Sequence, residues 1–210
     1  MKKNMKIEKK SLVNKLSQCF FAIMTLLLIV GCSLEEGNDV SVEDVPVPEW
    51  VDQQIINIDW SSRRGLKLDA INDVVIHYVG NPQSSAQANQ AYFSSSRSAV
   101  SSHFIVGLEG EIIQCVPLDE YSSASNWRNN DTLSIEVCHP DETGKFTEVT
   151  YNALVELTAW ICDVYNLDTN QIIRHYDITG KDCPRYFVRN EDEWELFKEQ
   201  VKQHLETNYS

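Results

Sequence analysis

Positive charge is scarce in this 210-residue sequence: 18 lysines and arginines stand against 31 aspartates and glutamates, for a net charge of −13. A nucleic-acid partner needs a basic footprint, so that class is excluded. Long apolar runs are missing too. The one clear run, residues 20–30, has eleven residues, where a membrane-spanning helix needs roughly 20. No internal repeat and no second linker divides the chain. Neither HExxH nor CxxC spacing occurs. A metal site of His and Cys would therefore have to be assembled by the fold from residues far apart in sequence.

What the N-terminus does contain is a processing signal. Lys2, Lys3, Lys6, Lys9, Lys10 and Lys15 form a basic region ahead of the apolar run, and Ile29-Val30-Gly31-Cys32 follows. That order looks like a lipobox, with residues 1–31 as a lipoprotein signal peptide and Cys32 as the lipidated residue. Two or more acyl chains anchor a protein stably where one does not. Cleavage would remove six lysines and Glu8, leaving a net charge of −18. An uncleaved signal anchor is the alternative. Residues 33–50 carry six acids, no lysine or arginine, and Val45-Pro46-Val47-Pro48. With Cys32 they read as an acidic flexible tether, ahead of one folded domain over residues 51–210.

Within that domain, residues 73–79 (DVVIHYV) and 132–138 (TLSIEVC) read as strands. Residues 103–107 and 111–116 form a hairpin signal around Leu108-Glu109-Gly110, and residues 171–174 a further short strand. Helices are expected at residues 84–93, at 149–165 with Ala153, Leu157, Trp160, Ile161 and Val164 on one face, and at 191–205 with Trp194, Phe197, Val201 and Leu205. Asn190 with Glu193 three residues on suggests a capping box. The interleaving predicts an α/β fold: a single domain with a central mixed β-sheet flanked by helices and a site at the strand ends.

The chemically useful side chains sit at those strand ends: His77, Glu136, and the stretch from Arg174 to Pro184 with His175, Lys181 and Cys183. A zinc hydrolase needs three protein ligands and an open position, and imidazole and thiolate both suit zinc. Residue types alone leave alternatives open. A strand histidine can be a core residue, and Glu136 a solvated carboxylate. Cys183 can pair in a disulfide with Cys115, Cys138 or Cys162 in an exported protein. Cys138, two residues from Glu136, shares its strand face and is read as packing, with a ligand role alongside His139 as the alternative.

The segment RHYDITGKDCP resembles the C-terminal zinc motif of type 2 N-acetylmuramoyl-L-alanine amidases, the family that shares its fold with the peptidoglycan-recognition proteins. VVIHYV and SIEVC stand where that family carries its first ligand and its glutamate. The likeness spans roughly residues 70–200. It implies Zn²⁺ on His77, His175 and Cys183, with Glu136 and Lys181 as catalytic groups. It also implies cleavage of the N-acetylmuramic acid–L-alanine amide in peptidoglycan or muropeptides, by a monomer that is lipid-anchored to a bacterial membrane. Two departures stand out. Many phage relatives have tyrosine where this chain has Ser102, and many members carry Trp-His where residues 121–127 read YSSASNW. The competing expectation is a peptidoglycan-binding lipoprotein on the same fold without turnover; a third is a surface lipoprotein with a structural role.

Overall fold

Val74, Val75 and Ile76 are completely buried on both sides of their strand. Burial of both faces is what a run of β-branched residues achieves in the middle of a parallel sheet covered by helices. The computed structural model describes residues 42, 45–58 and 61–209. The signal peptide expected at residues 1–31 and the lipidated Cys32 lie outside them. Six strands are present among the described residues: β1 (Val51–Gln53), β2 (Asp73–Tyr78), β3 (Phe104–Val106), β4 (Ile112–Gln114), β5 (Thr132–Val137) and β6 (Ile172–Arg174). Five helices accompany them: α1 (Ala86–Phe93), α2 (Glu148–Val164), α3 (His175–Thr179), α4 (Arg185–Arg189) and α5 (Glu191–Asn208).

The sheet order is β1-β4-β3-β5-β2-β6. Only β3 and β4 are antiparallel; all other pairs are parallel, so the sheet is mixed as expected. The β3–β4 turn closes through Gly107 N–H to Glu111 O at 2.7 Å, with Gly110 at φ 81°. Alternation along the central strands sorts the side chains. Val74, Ile76, Leu133, Ile135 and Val137 face a large core built with α2 and α5. There Phe187 stacks on Phe197 at 5.3 Å and Trp160 meets Phe104 edge-on. The opposite face carries a smaller core of Ile105, Ile113, Cys115 and Cys138 under Ala86 and Phe93 of α1. Thr147 caps α2 by accepting from Thr150 N–H, and Ser85 caps α1 through Ala88 N–H.

One difference from the sequence reading concerns a helix start. The capping box at Asn190 does not form: Asn190 Nδ2 donates instead to Tyr186 O, and Tyr186 Oη donates to Glu193. Val42, Val45 and Val47 pack half-buried against the large core. Trp50 meets Trp160 edge-on at 6.3 Å. Residues 32–41, 43 and 44 of the expected tether lie outside the described residues. Cys115, Cys138, Cys162 and Cys183 are all buried and free, so the disulfide alternative is not realised among the described residues.

His103 is a core residue with both ring nitrogens engaged. Nδ1 accepts from the Ser134 backbone N–H at 3.0 Å, so Nε2 carries the proton and donates to Glu120 O at 2.8 Å. Burial depresses its pKa from 6.5 to about 4. Between those values the unfolded chain binds a proton that the native state refuses. Stability present above pH 6.5 is therefore lost as pH falls toward 4, by roughly 3 kcal/mol. Denaturant titrations from pH 7 to 4 should show His103→Gln less stable than wild type at pH 7 but with a shallower acid slope; an unchanged slope would remove His103 as its source.

Candidate active site

The site is built by strand register. His77 on β2 pairs with Glu136 on β5, both near the C-terminal ends of parallel strands. On the other side Ile76 pairs with Arg174, the last residue of β6, so the next residue, His175, follows beside His77. The imidazole centroids are 4.6 Å apart. His175 opens α3, and Gly180 ends it in the left-handed conformation, φ 75°. The chain then returns, and Cys183 O accepts from Tyr176 N–H at 2.9 Å. Eight residues of separation in sequence thus become adjacency in space.

Arg174 holds this turn from behind. Its guanidinium donates to Asp177 at 2.9 Å, to Glu191 at 2.6 Å and to Phe187 O at 3.2 Å, and it lies over the Trp194 ring. Asp177 also accepts the Arg174 backbone N–H, closing the start of α3.

His77, His175 and Cys183 each place a ligand atom within 4.8 Å of the others, and all three residues are buried. Cys183 Sγ lies 3.9 Å from His77 Nδ1. Bonds of about 2.3 Å to sulfur and 2.0–2.1 Å to nitrogen put ligands of a tetrahedral centre roughly 3.3–3.6 Å apart, close to this spacing. His175 Nε2 bonds Asn126 Oδ1 at 2.8 Å, leaving Nδ1 enclosed and without a partner. His77 Nε2 and Glu136 Oε2 are likewise buried without hydrogen bonds. A buried unsatisfied polar atom costs about 1–3 kcal/mol, so the unpartnered His175 Nδ1, in a residue whose ligand atom lies within 4.8 Å of those of His77 and Cys183, fits a cation there.

The electrostatics agree. Burial lowers His77 well below 6.5, helped by the neighbouring His175 and Lys181 charges, and takes His175 down to about 4. Burial pushes the Cys183 thiol up to about 12, with the Glu136 carboxylate adding to the rise. It pushes Glu136 up to about 8, with Lys181 opposing. Both imidazoles are thus neutral and able to donate lone pairs. A divalent cation would supply the positive charge that a thiolate and a carboxylate lack here.

A cavity of about 500 Å³ opens on these groups. His77, Glu136, His175 and Lys181 line it, together with Asn89, Tyr92 and Phe93 of α1 and with Ser123 and Ala124. All five residues singled out in the sequence therefore meet in one place, with Lys181 exposed at the wall. Cys138 stays out of the cluster: Asn89 Nδ2 donates to its sulfur at 3.5 Å. His139 is turned away to Asp141 O, 2.7 Å distant. Ser102 is buried, donating to Phe104 O, so it does not stand in for the tyrosine of many phage relatives. Asn126 was not singled out in the sequence. Its one signal is its position in the segment where the family carries Trp-His.

The chain is 29% identical over 166 residues to the N-acetylmuramoyl-L-alanine amidase CwlL of Bacillus licheniformis, covering 71% of this chain and 46% of that protein. It is also 29% identical over 168 residues to the amidase BlyA of Bacillus subtilis, covering 70% and 45%. The chain thus spans about half the length of the curated relatives it matches. A mutant endolysin from Bacillus subtilis superposes with a TM-score of 0.63 at 25% identity, over 72% of this chain and 97% of the other. A family model described as N-acetylmuramoyl-L-alanine amidase matches residues 67–186, from just before β2 to α4 and through every residue of the cluster, and the chain belongs to that family.

Proposed function

We propose that this protein hydrolyses the amide bond between N-acetylmuramic acid and L-alanine in peptidoglycan or its fragments, with Zn²⁺ held by His77, His175 and Cys183. One observation carries the reading: three ligand atoms converge within 4.8 Å beside a buried carboxyl, in a chain of the amidase family. When bound, zinc supplies Lewis acidity, which acidifies water and stabilises charge on a carbonyl oxygen. Glu136 takes a proton from the attacking water as the water oxygen bonds to the lactyl carbonyl carbon. It returns that proton to the L-alanine nitrogen as the carbon–nitrogen bond breaks. Burial raises its pKa to about 8 against the opposing Lys181 charge, and a bound cation would lower it again, favouring the carboxylate that accepts the proton. Lys181, at the cavity wall, adds positive charge where the oxyanion develops.

Incubation with purified muropeptides followed by mass spectrometry should release free sugar and intact stem peptide beginning with L-alanine. Glu136→Gln should keep its zinc and lose about 10²–10⁴-fold in turnover, as expected for a general base. Unchanged release by that variant would strip Glu136 of its role. A wild-type chain that leaves muropeptides intact, yet binds them, would favour a peptidoglycan-binding lipoprotein.

Elemental analysis of the gently purified protein should find about one zinc per chain. Cys183→Ser should lose it far more readily than Cys162→Ser, whose sulfur is buried in the large core away from the site. Equal retention by the two variants would argue against a thiolate ligand at 183.

The basic N-terminal region, the short apolar run and Ile29-Val30-Gly31-Cys32 support export and anchoring through a lipidated Cys32, with the domain acting as a monomer at a bacterial membrane. Cys32→Ser should move the protein from the membrane fraction to the soluble one or leave it unprocessed; normal processing and membrane retention would contradict lipidation there.

A further inference from the structure

We propose that Asn126 is a positioning residue for the metal centre: it holds His175 in the tautomer whose Nδ1 is free to bind the ion. The inference rests on the metal reading of His77, His175 and Cys183. Asn126 Oδ1 lies 2.8 Å from His175 Nε2. An amide oxygen only accepts, so Nε2 carries the proton and the lone pair resides on Nδ1. Nδ1 is the enclosed nitrogen with no hydrogen-bond partner. A hydrogen bond on the far nitrogen of a ligating imidazole fixes ring orientation and tautomer and raises its basicity.

Asn126 is suited to this by backbone as well as by side chain. It sits at φ 55°, a conformation that glycine, asparagine and aspartate tolerate and that strains most other residues. The surrounding loop is tied down. Asn129 Oδ1 accepts from Ala124 N–H at 3.2 Å and Ser125 N–H at 2.6 Å. Just upstream, Ser123 N–H donates to Ser101 Oγ, and Ser122 Oγ bonds Ser134 Oγ at 2.7 Å. Ser134 is two residues before Glu136 on β5, so the strand that carries the carboxyl also anchors the loop that orients the imidazole. A turn asparagine kept only for its backbone would have no reason to send its side chain to a buried histidine.

The backbone conformation supplies a clean pair of variants. Asn126→Gly accepts φ 55° and deletes the oxygen, whereas Asn126→Asp keeps an acceptor at the same place. Zinc affinity of the full chain is measured by competition with a chromophoric chelator, and ¹⁵N NMR of the His175 ring is recorded without metal. Wild type should show the Nε2–H tautomer. Asn126→Gly should show a mixture and a zinc Kd weakened about 10–100-fold, while Asn126→Asp should stay within a few-fold of wild type. Unchanged affinity in Asn126→Gly, equal loss in both variants, or an Nδ1–H ring in wild type would overturn the inference while leaving the metal centre standing. A wild-type chain that takes up no zinc would overturn the metal centre and this inference with it.

Discussion

The pairing of β2 between β5 and β6 forces His77, Glu136 and His175 into one neighbourhood, on the sheet face covered by α1. Everything else in the molecule responds to the desolvation this imposes. Polar groups enclosed without partners destabilise the fold, so compensation must come from elsewhere. It comes from the opposite face, where Leu133, Ile135 and Val137 of β5 join the aromatic cluster of Phe187, Trp194 and Phe197. A single strand thus serves both ends: its odd-numbered residues are core, while Ser134 and Glu136 face the other way.

The same division explains why the turn after β6 is braced so heavily. A strand of three residues contributes little pairing of its own. Arg174 makes up for this by bonding Asp177, Glu191 and Phe187 O while lying against Trp194. That places the last strand residue under the control of α5, and His175, next in the chain, inherits its position. Gly180 then lets the chain reverse, and the Tyr176–Cys183 backbone bond fixes the thiol relative to the imidazole. The eight-residue spacing in the family motif has a geometric meaning: one helical turn, one left-handed cap and a return.

The strong periodic elements were legible in the sequence because their patterns are long. DVVIHYV and TLSIEVC carry β-branched runs, and α2 and α5 repeat apolar residues through 17 and 18 positions. Some short elements were not, although the three-residue strands β3, β4 and β6 fell where expected. β1 has three residues, and α3 and α4 have five each, too few to show a period. The capping box at Asn190 failed because α4 ends immediately before it and offers Tyr186 O to the asparagine amide. For the site, residue types and their strand-end positions identified His77, Glu136, His175, Lys181 and Cys183, but spacing alone could not show that they meet. Parallel register between strands some sixty residues apart is a tertiary fact, and resemblance carried that step. Asn126 escaped notice because a turn asparagine needs no partner to be explained.

Of the two departures from the family pattern, the 121–127 segment brings Asn126 to His175, whereas Ser102 bears on the cavity wall. Ser102 spends its hydroxyl on Phe104 O inside the core, so no phenol reaches the cavity from that position. Tyr78, Tyr92 and Phe93 line the cavity instead, and of these Tyr92 on α1 is about 50% exposed, with Val100, also in the lining, at 47%. Apolar surface at the mouth of a polar site suits a ligand with both sugar or methyl faces and hydrogen-bonding edges. The buried groups and the wall therefore answer to different constraints. His77 and Glu136 are held by strand register, and His175 and Cys183 by the braced turn after β6. On the wall Tyr92 and Val100 are exposed, so substitutions there cost little stability, whereas Ser101 and Ser122 are buried and hydrogen-bonded. Variation at those two exposed positions reshapes the cavity while the buried cluster beneath it stays the same.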